Sequence, residues 1–335
     1  MPPRFDGARE QSGCVKRLVH GILAFGISAA ILWLLYRKLD MATCVAVFEN
    51  ARYPHLLGIA ITQAGIYLLS AWRWLTMARI YCRLSYVESL TLNLSSSALN
   101  AIVPSKLGSF AKAYFLNRRG RVDAKAALSL VIYERLSDLA AMSAVFLAAA
   151  AWPRADSALM SVTLLAAAAM LLGFIALHLV RVSRWGLVAR AGRVRGLSKI
   201  VEWADVLHLF HDNPDLPAAK LWKIHAMTLA LWLCHAAQLV FLFRFLDLRV
   251  PELAIVAHMF CALFVGLLPV SVAGVGTRDL AIVQLFQGML TYPQAVVVGG
   301  MTTLVRYIVP TLIGLPFLAI SGSWRIKAEA EPGKK

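Results

Sequence analysis

The sequence predicts an all-α, polytopic membrane protein with about six full spans and two re-entrant broken-helix hairpins, arranged as an inverted repeat. Hydrophobic residues make up 59% of the 335 residues, and the mean hydropathy is +0.67. Several apolar runs reach about 20 residues, the length of a membrane-spanning helix. Two further apolar segments are interrupted near their middles, and most basic residues lie between the apolar runs.

The apolar runs define a single membrane domain, 1–335. The six predicted spans are 18–36, 55–76, 126–151, 158–180, 222–245 and 294–320. The first run follows Arg17, is long enough to span, and lacks a small-residue cleavage site behind it, so we expect no cleavable signal peptide.

The interrupted segments are 86–116 and 252–291, broken near Pro104 and Pro269. Their arms are too short for two separate crossings at about 1.5 Å per residue, so each segment is predicted to enter and leave on one side. Non-helical backbone at membrane depth is tolerated only inside protein or beside a wet cavity. Paired broken helices in two halves indicate a transporter-type binding site between inverted repeats.

The basic residues predict the orientation. With the N-terminus in the cytoplasm, 23 of the 34 Lys and Arg fall in cytoplasmic segments and 6 in outside loops. Cytoplasmic loops of membrane proteins carry this excess. Both termini are therefore predicted to be cytoplasmic, and residues 18–151 and 158–320 form two halves of opposite orientation.

Two polar segments complete the organisation. Residues 184–212 combine an Arg-rich start with apolar residues at helical spacing, which predicts a cytoplasmic amphipathic segment facing anionic headgroups. Residues 327–335 are polar and predicted to be disordered. The net charge of +16 is a membrane signature here, and no nucleic-acid partner is expected because no soluble domain is large enough to present it.

Three ionisable residues lie close together in the third span. Glu134 and Asp138 share a helix face, and Arg135 can pair with Asp138 at i,i+3. Each buried charge costs roughly 2.5–3.5 kcal/mol, so the group needs partners or a wet cavity. The residues are consistent with an interfacial cluster that ends the helix, an ion network bracing the first hairpin, or direct handling of substrate or protons.

The second hairpin carries Arg278 and Asp279 after two glycines, Gly274 and Gly276. Glycine permits close backbone approach, and free amides at a helix N-terminus can meet an anion. Arg278 adds a bidentate donor suited to phosphate. The alternative is a structural pair between Arg278 and Glu134 or Asp138, and Asp279 suits the helix N-terminus.

Other polar residues fall at membrane depth. Lys106 lies at the first break, whereas Lys112 is interpreted as a residue that reaches to the interface. Arg306 lies midway along the last span and marks a site or a buried partner. Asn100 polarises the first hairpin, where helix–helix hydrogen bonding is the simpler explanation. Arg73, flanked by tryptophans, is interpreted as an interface anchor more readily than as a headgroup ligand.

The common enzyme signatures are missing. The histidines make no spanning HExxH pair, there is no GxSxG elbow, and no metal or cofactor is expected. The only acidic candidates for transferase chemistry outside the membrane are Asp40 and Glu49. The sequence therefore predicts a protein that is not an enzyme, with no catalytic residues.

Three motifs in order, LNAIVPSKLGSFAKAYFL, YERLSDL and GLLPVSVAGVGTRDLAIVQLF, resemble the lysylphosphatidylglycerol synthase transmembrane-region family. This is the flippase-like membrane domain of the multiple peptide resistance factor and its stand-alone relatives. The resemblance covers residues 15–325. The family often has GGxGxRE where this chain has Ala273 to Asp279, and its ER…D motif matches Glu134, Arg135 and Asp138. Full-length synthases append a soluble aminoacyl-transferase domain, so this chain is not expected to synthesise aminoacyl lipids.

The resemblance implies lipid translocation or handling. The cationic residues in the apolar segments predict that the lipid moved between leaflets has an anionic or phosphate headgroup. The predicted substrate-binding residues are Lys106, Arg278, Arg306, Asn100, Ser271, Gly274 and Gly276. The predicted structural or switching ion network is Glu134, Arg135, Asp138 and Asp279. A non-transporting accessory subunit and a membrane transferase using a polyprenyl-phosphate donor remain alternatives. Lipid- or glycan-synthesis enzymes and a second copy of the chain are the open protein partners, and the predicted location is the cytoplasmic (inner) membrane.

Overall fold

The structure is a computed structural model, and its described part is helical. It describes residues 26–35, 37, 41–102, 108–118, 121–151, 157–179, 210, 213, 216–268, 271 and 274–330. Within these ranges no β-strand is present. The predicted all-α class is therefore confirmed.

Twelve helices and one π-helical segment are named here. They are α1 Gly26–Leu35, α2 Met41–Glu49, α3 Pro54–Ala78, α4 Tyr86–Ile102, α5 Phe110–Arg118, α6 Ala124–Ala150, α7 Ala158–Leu179, α8 Ala218–Phe245, α9 Glu252–Val265, α10 Thr277–Leu285, α11 Tyr292–Thr303, the π segment Leu304–Ile308, and α12 Val309–Ala330. The predicted spans from 55 onward each coincide with one of these helices or, for the last, with α11, the π segment and α12 together.

Four helices among the described residues are long and apolar enough to cross a membrane: α3, α7, α8 and the continuous helix Tyr292–Ser321. With 27 residues α6 has the length, but its Glu134, Arg135 and Asp138 lower its hydropathy. The described part of the first predicted span is the short α1. The chain is thus a multi-pass membrane protein, and four of the six predicted spans meet this measure within the described residues.

Both interrupted segments form antiparallel helix hairpins. In the first, Ser96 Oγ donates to Gly108 O at 3.1 Å, and further along α5 Lys112 Nζ donates to Asn93 Oδ1 at 3.3 Å. Later residues of α5 thus contact earlier residues of α4, so the two helices run antiparallel. Each arm is shorter than the roughly 20 residues that a full crossing requires.

The second hairpin has the same form. A side chain at Gly274 would lie 2.4 Å from Gly266 O, and at the other end the rings of His258 and Phe286 lie 5.1 Å apart. Helix α9 and helix α10 therefore run side by side in opposite directions.

Each hairpin packs into its own apolar core. The first core joins α4 and α5 to the ends of α3, α6 and α8 around Trp74, Leu116 and Tyr133. The second joins α9, α10 and α11 to α6, α7 and α8 around Phe243 and Phe260. Because lipid tails are as apolar as these side chains, such cores hold through close contact and hydrogen bonds rather than through exclusion of water.

Two segments differ from the prediction, and a third lies almost entirely outside the described residues. Helix α2 lies between the first two predicted spans, where no helix was predicted, and its nine residues are too few for a span. Helix α12 continues to Ala330, past the start of the tail 327–335 that we predicted to be disordered, and 331–335 lie outside the described residues. Of the predicted amphipathic segment 184–212, only Phe210 is described.

Candidate functional site

A polar cavity lies where α3, α4, α6, α8 and the π segment meet. Its volume is about 230 Å³. The polar side chains that line it include Gln63, Asn93, Asn100, Arg135, His235 and Arg306. Two of these side chains are cationic, and no carboxylate is among the described lining residues. The cavity therefore presents positive charge and amide groups inside the membrane domain.

The π segment places Arg306 in this cavity. A π turn inserts an extra residue into a helix, is rare, and frequently occurs at functional sites. Arg306 Nη1 lies 3.3 Å from His235 Nδ1. Because a guanidinium has no acceptor, the histidine nitrogen must accept this bond. Arg306 thus has a hydrogen-bond partner in the cavity, and its role at a substrate site stays a prediction.

Arg135 supplies the second cation. Of its side chain, 41% is exposed, and Arg135 Nη1 lies 3.9 Å from Asp138 Oδ2. The predicted i,i+3 pair is therefore present but long. Arg73 approaches the same carboxylate much more closely, at 2.5 Å, so Asp138 holds Arg135 only loosely, and Arg135 lines the cavity.

A buried ion network lies beside the cavity. Arg73 Nη2 contacts Glu134 Oε1 at 3.0 Å, and Lys112 Nζ contacts Glu134 Oε2 at 2.6 Å. The side chains of these three residues are 3–4% exposed. Two side chains of α8 complete the network. Thr228 Oγ1 accepts a hydrogen bond from Arg73 at 3.2 Å, and Trp232 Nε1 donates one to Asp138 at 3.3 Å. The network ties α3, α5, α6 and α8 together.

This arrangement corrects two sequence interpretations. Arg73 is not an interface anchor, and Lys112 does not reach to the interface, since both are buried against Glu134. The feature of the sequence that indicates these pairs is the balance of charge among the residues in the apolar segments. Glu134 and Asp138 are two carboxylates at membrane depth, and Arg135 alone cannot neutralise both. Arg73 of α3 and Lys112 of α5 supply the missing cations.

The second hairpin has its own ion pair. Arg278 Nη2 contacts Asp279 Oδ1 at 2.6 Å, and it also donates to Gly299 O at 3.3 Å and Thr303 Oγ1 at 2.5 Å. Asp279 Oδ2 accepts from the amide of Gly276 at 3.0 Å. The predicted role of Asp279 at the helix N-terminus is thus present, and the anion that meets the free amides is this carboxylate.

The backbone conformation of this hairpin explains two of its glycines. Gly274 and Gly276 have φ values of 78° and 95°, a region that residues with a Cβ rarely adopt. Ser271 Oγ lies 2.7 Å from Thr277 Oγ1, so it closes the turn. These residues shape the tip, and none of them lines the cavity.

The predicted substrate-binding set is therefore divided. Asn100 and Arg306 line the cavity, and Asn100 Oδ1 is buried with no hydrogen-bond partner among the described residues. Arg278 is 1% exposed and paired with its neighbour Asp279, and not with Glu134 or Asp138, the alternative partners considered from the sequence. Its guanidinium lies 5.6 Å from the ring centre of Tyr307, a cavity residue. Lys106 lies outside the described residues.

These features define a class: a multi-pass, all-helical membrane protein with two broken-helix hairpins and a cationic cavity between its helices. Comparison with protein-family models then identifies the family. The chain belongs to the family described as the lysylphosphatidylglycerol synthase TM region, whose model matches residues 21–314. The resemblance drawn from the three motifs is confirmed. A search of curated proteins finds no match.

Membership places the chain among membrane proteins of lipid modification or transport. The matched region is the membrane part of the synthase and is separate from its catalytic domain. The cavity and hairpins described above all fall within the matched residues.

Proposed function

We propose that this protein moves a lipid with an anionic or phosphate headgroup between membrane leaflets, with the headgroup in the cavity of Arg135 and Arg306. The observation that supports this most directly is a lining with two arginines and no described carboxylate. Guanidinium groups bind phosphate oxygens through paired, charge-assisted hydrogen bonds. Asn100, with its buried amide, would contact the headgroup as well.

The size of the cavity supports a headgroup rather than a whole lipid. A volume of about 230 Å³ is below the 300–1,000 Å³ of typical drug-sized sites. The acyl chains would then remain in the bilayer, beside lipid-facing side chains such as Leu57, Leu68 and Leu312, which are 50–65% exposed. Such an arrangement needs no wide hydrophilic path across the protein.

The packing of the helices supports an inverted repeat. Helices α3 and α8, the second spans of the two halves, pack on each other. The last span of each half also packs on the first arm of the other half's hairpin: α12 on α4, and α6 on α9. Such reciprocal pairing is what an in-plane two-fold axis would produce.

The ends of the first hairpin support its re-entrance. Arg121, just after α5, donates to Arg83 O and contacts Glu88 Oε1, both at 3.2 Å. Because Arg83 and Glu88 lie at the start of α4, the chain enters and leaves this hairpin at one place. We propose that this end faces the cytoplasm and that the second hairpin enters from outside, in the cytoplasmic membrane with both termini inside.

The ion pairs have a role in this proposal. Lys112–Glu134 fastens the first hairpin to α6, and Arg278–Asp279, through Gly299 O, fastens the second to α11. Opening the cavity to one leaflet and then the other would move the hairpins against these anchors. Arg135, loosely held by Asp138, is free to exchange that carboxylate for a headgroup.

The test is lipid exchange in liposomes containing the purified chain and labelled lipids of different headgroups. Arg306→Ala should reduce exchange of the transported lipid by roughly 10- to 100-fold, because a hydrogen bond to a charged group contributes about 1.5–3 kcal/mol. The matched control is Arg244→Ala, which removes an exposed arginine paired with Glu252 and should leave exchange unchanged.

Two outcomes would reject the proposal. Exchange of no lipid by the folded protein would favour an accessory subunit that acts with lipid- or glycan-synthesis enzymes. Product formation that depends on Asp40 or Glu49 would favour a membrane transferase. Asp40 lies outside the described residues, and Glu49 is exposed at the end of α2.

A further inference from the structure

A second group of polar side chains lies apart from the cavity, where α6, α7 and α8 meet. Tyr133 Oη is 2.9 Å from His178 Nε2 and 3.3 Å from His225 Nε2. The two Nε2 atoms are 3.2 Å apart. Tyr133 is fully buried and packs on Phe210 at a ring-centre distance of 4.3 Å. Three nitrogen and oxygen donors thus converge inside an apolar surround.

The hydrogen bonding of His178 determines which of its nitrogens faces the group. His178 Nδ1 lies 2.8 Å from the carbonyl oxygen of Phe174. A carbonyl can only accept, so Nδ1 carries the proton and the Nε2 lone pair of the neutral ring points at Tyr133 and His225. A bond from the far ring nitrogen to a backbone carbonyl is the usual support of a metal-binding histidine, since it sets the tautomer and the ring orientation.

The ring geometry fits a shared central atom better than a histidine–histidine hydrogen bond. Hydrogen bonds prefer donor angles above 150°, and a collinear N–H···N bond would separate the two ring centres by about 5.5 Å. The observed separation is 4.9 Å with the rings at 72°, so the two rings are not collinear with the line that joins their Nε2 atoms. In tetrahedral coordination at about 2.0–2.1 Å, neighbouring donors lie about 3.3–3.4 Å apart, close to the three distances here.

We propose that Tyr133, His178 and His225 bind one divalent transition-metal ion of the kind that imidazole prefers, Zn²⁺ or Cu²⁺. Neutral imidazole nitrogen is a common ligand of both ions. The sequence predicted no metal site, and the described residues contain no group of three or more His, Cys, Asp or Glu that could hold one. The third ligand here is the phenol oxygen of Tyr133.

The surroundings provide access and a favourable field. An apolar cavity of about 350 Å³ borders His225, Phe174 and Trp222, and a metal-binding site needs such a path. His178 is in the last turn of α7, where the helix dipole favours a positive charge. Because Tyr133, His178 and His225 do not line the cavity of Arg135 and Arg306, the metal site does not depend on the proposed lipid transport.

The experiment measures metal bound to the purified full-length chain in detergent after treatment with a chelator and addition of Zn²⁺. One Zn²⁺ per chain is expected. His178→Ala and His225→Ala should weaken binding by more than about 100-fold, the upper end of what loss of a supporting partner costs. His258→Ala is the matched control because His258 Nδ1 also bonds a carbonyl four residues earlier, that of Ala254, at 2.7 Å, and this variant should bind normally.

A second measurement avoids reliance on variants that fold poorly. Electron paramagnetic resonance of the unmodified protein with one equivalent of Cu²⁺ should show coupling to two ring nitrogens, and Tyr133→Phe, which retains the ring against Phe210, should retain that coupling while weakening binding. Absence of bound Zn²⁺ together with a Cu²⁺ signal lacking nitrogen coupling would overturn the proposal. Binding that is equal in His178→Ala and the unmodified chain would overturn it too.

Discussion

At the scale of single residues, Glu134 is the carboxylate on which the buried ion network is centred. Its two carboxylate oxygens are divided between Arg73 and Lys112, and all three side chains are buried. Breaking a buried ion pair from one side costs about 3–5 kcal/mol, because the remaining charge is left without compensation. Loss of any one member of the network should therefore destabilise the fold. The exposed pair Arg52–Asp247, by contrast, stabilises the fold by no more than about 1 kcal/mol.

Lys112→Met should lower the stability of the purified protein by about 3–5 kcal/mol, since Glu134 loses its closest cation. Adding Glu134→Gln should recover part of the loss, because the unpaired carboxylate is then gone. Thermal unfolding in detergent measures both. Lys223→Met is the control. Lys112 Nζ lies 4.2 Å from the ring centre of Trp74, and Lys223 Nζ lies 5.1 Å from that of Trp72, but Lys223 is exposed. Equal losses in Lys112→Met and Lys223→Met would contradict the network.

At the scale of helices, the hairpins are held by close backbone approach as well as by charge. Helix α12 crosses α4 at Gly314, where an added Cβ would lie 2.3 Å from Leu94 O and 3.0 Å from Ala98 Cβ. Small residues at such crossings let helices approach closely in a membrane. Because the obstructing atom is backbone, neither helix can yield without shifting the hairpin.

Gly314→Ala should therefore destabilise the protein by about 1–3 kcal/mol through overpacking. Gly173→Ala is a matched change in α7, where nothing lies within 4 Å of an added Cβ, and it should be neutral or stabilise by up to about 1 kcal/mol through helix propensity. The two melting temperatures, measured side by side, should move in opposite directions or by clearly different amounts. A rise for Gly314→Ala would show that the crossing is looser than the structure indicates.

At the scale of the whole molecule, the side of the membrane on which each hairpin begins and ends determines the topology. The contact between Arg121 and Arg83 places both ends of the first hairpin together. If the two halves are inverted, both ends of the second hairpin, near Asp247 and Gln287, lie on the opposite side.

Single cysteines at Arg83, Arg121, Asp247 and Gln287, in a chain whose five native cysteines are replaced, test this arrangement with a membrane-impermeant thiol reagent. In intact cells Asp247→Cys and Gln287→Cys should react from outside, while Arg83→Cys and Arg121→Cys should react only after the membrane is opened. Reaction of Arg121→Cys from outside would contradict the re-entrant first hairpin, and protection of Gln287→Cys would contradict the second.

The sequence predicted the spans well where hydropathy alone decides. The boundaries of α3, α7 and α8 fall within four residues of the predicted spans, because a helix in lipid must be apolar along its length and must satisfy its own backbone. The same reasoning found both broken segments, along with Arg306 and Asn100 in the cavity. It missed α2, whose nine residues carry no spanning signal.

The sequence by itself thus determined the class of protein, its all-helical form and the residues with unusual polarity in the apolar segments. The predicted break positions Pro104 and Pro269 lie outside the described residues. Only the tertiary structure decided which charges meet. Arg73 and Lys112 pair with Glu134, and Arg278 turns to Asp279. The physical reason is that hydropathy and backbone satisfaction are properties of one segment, whereas an ion pair depends on how two helices are rotated and placed against each other. That placement depends on close crossings such as the one at Gly314.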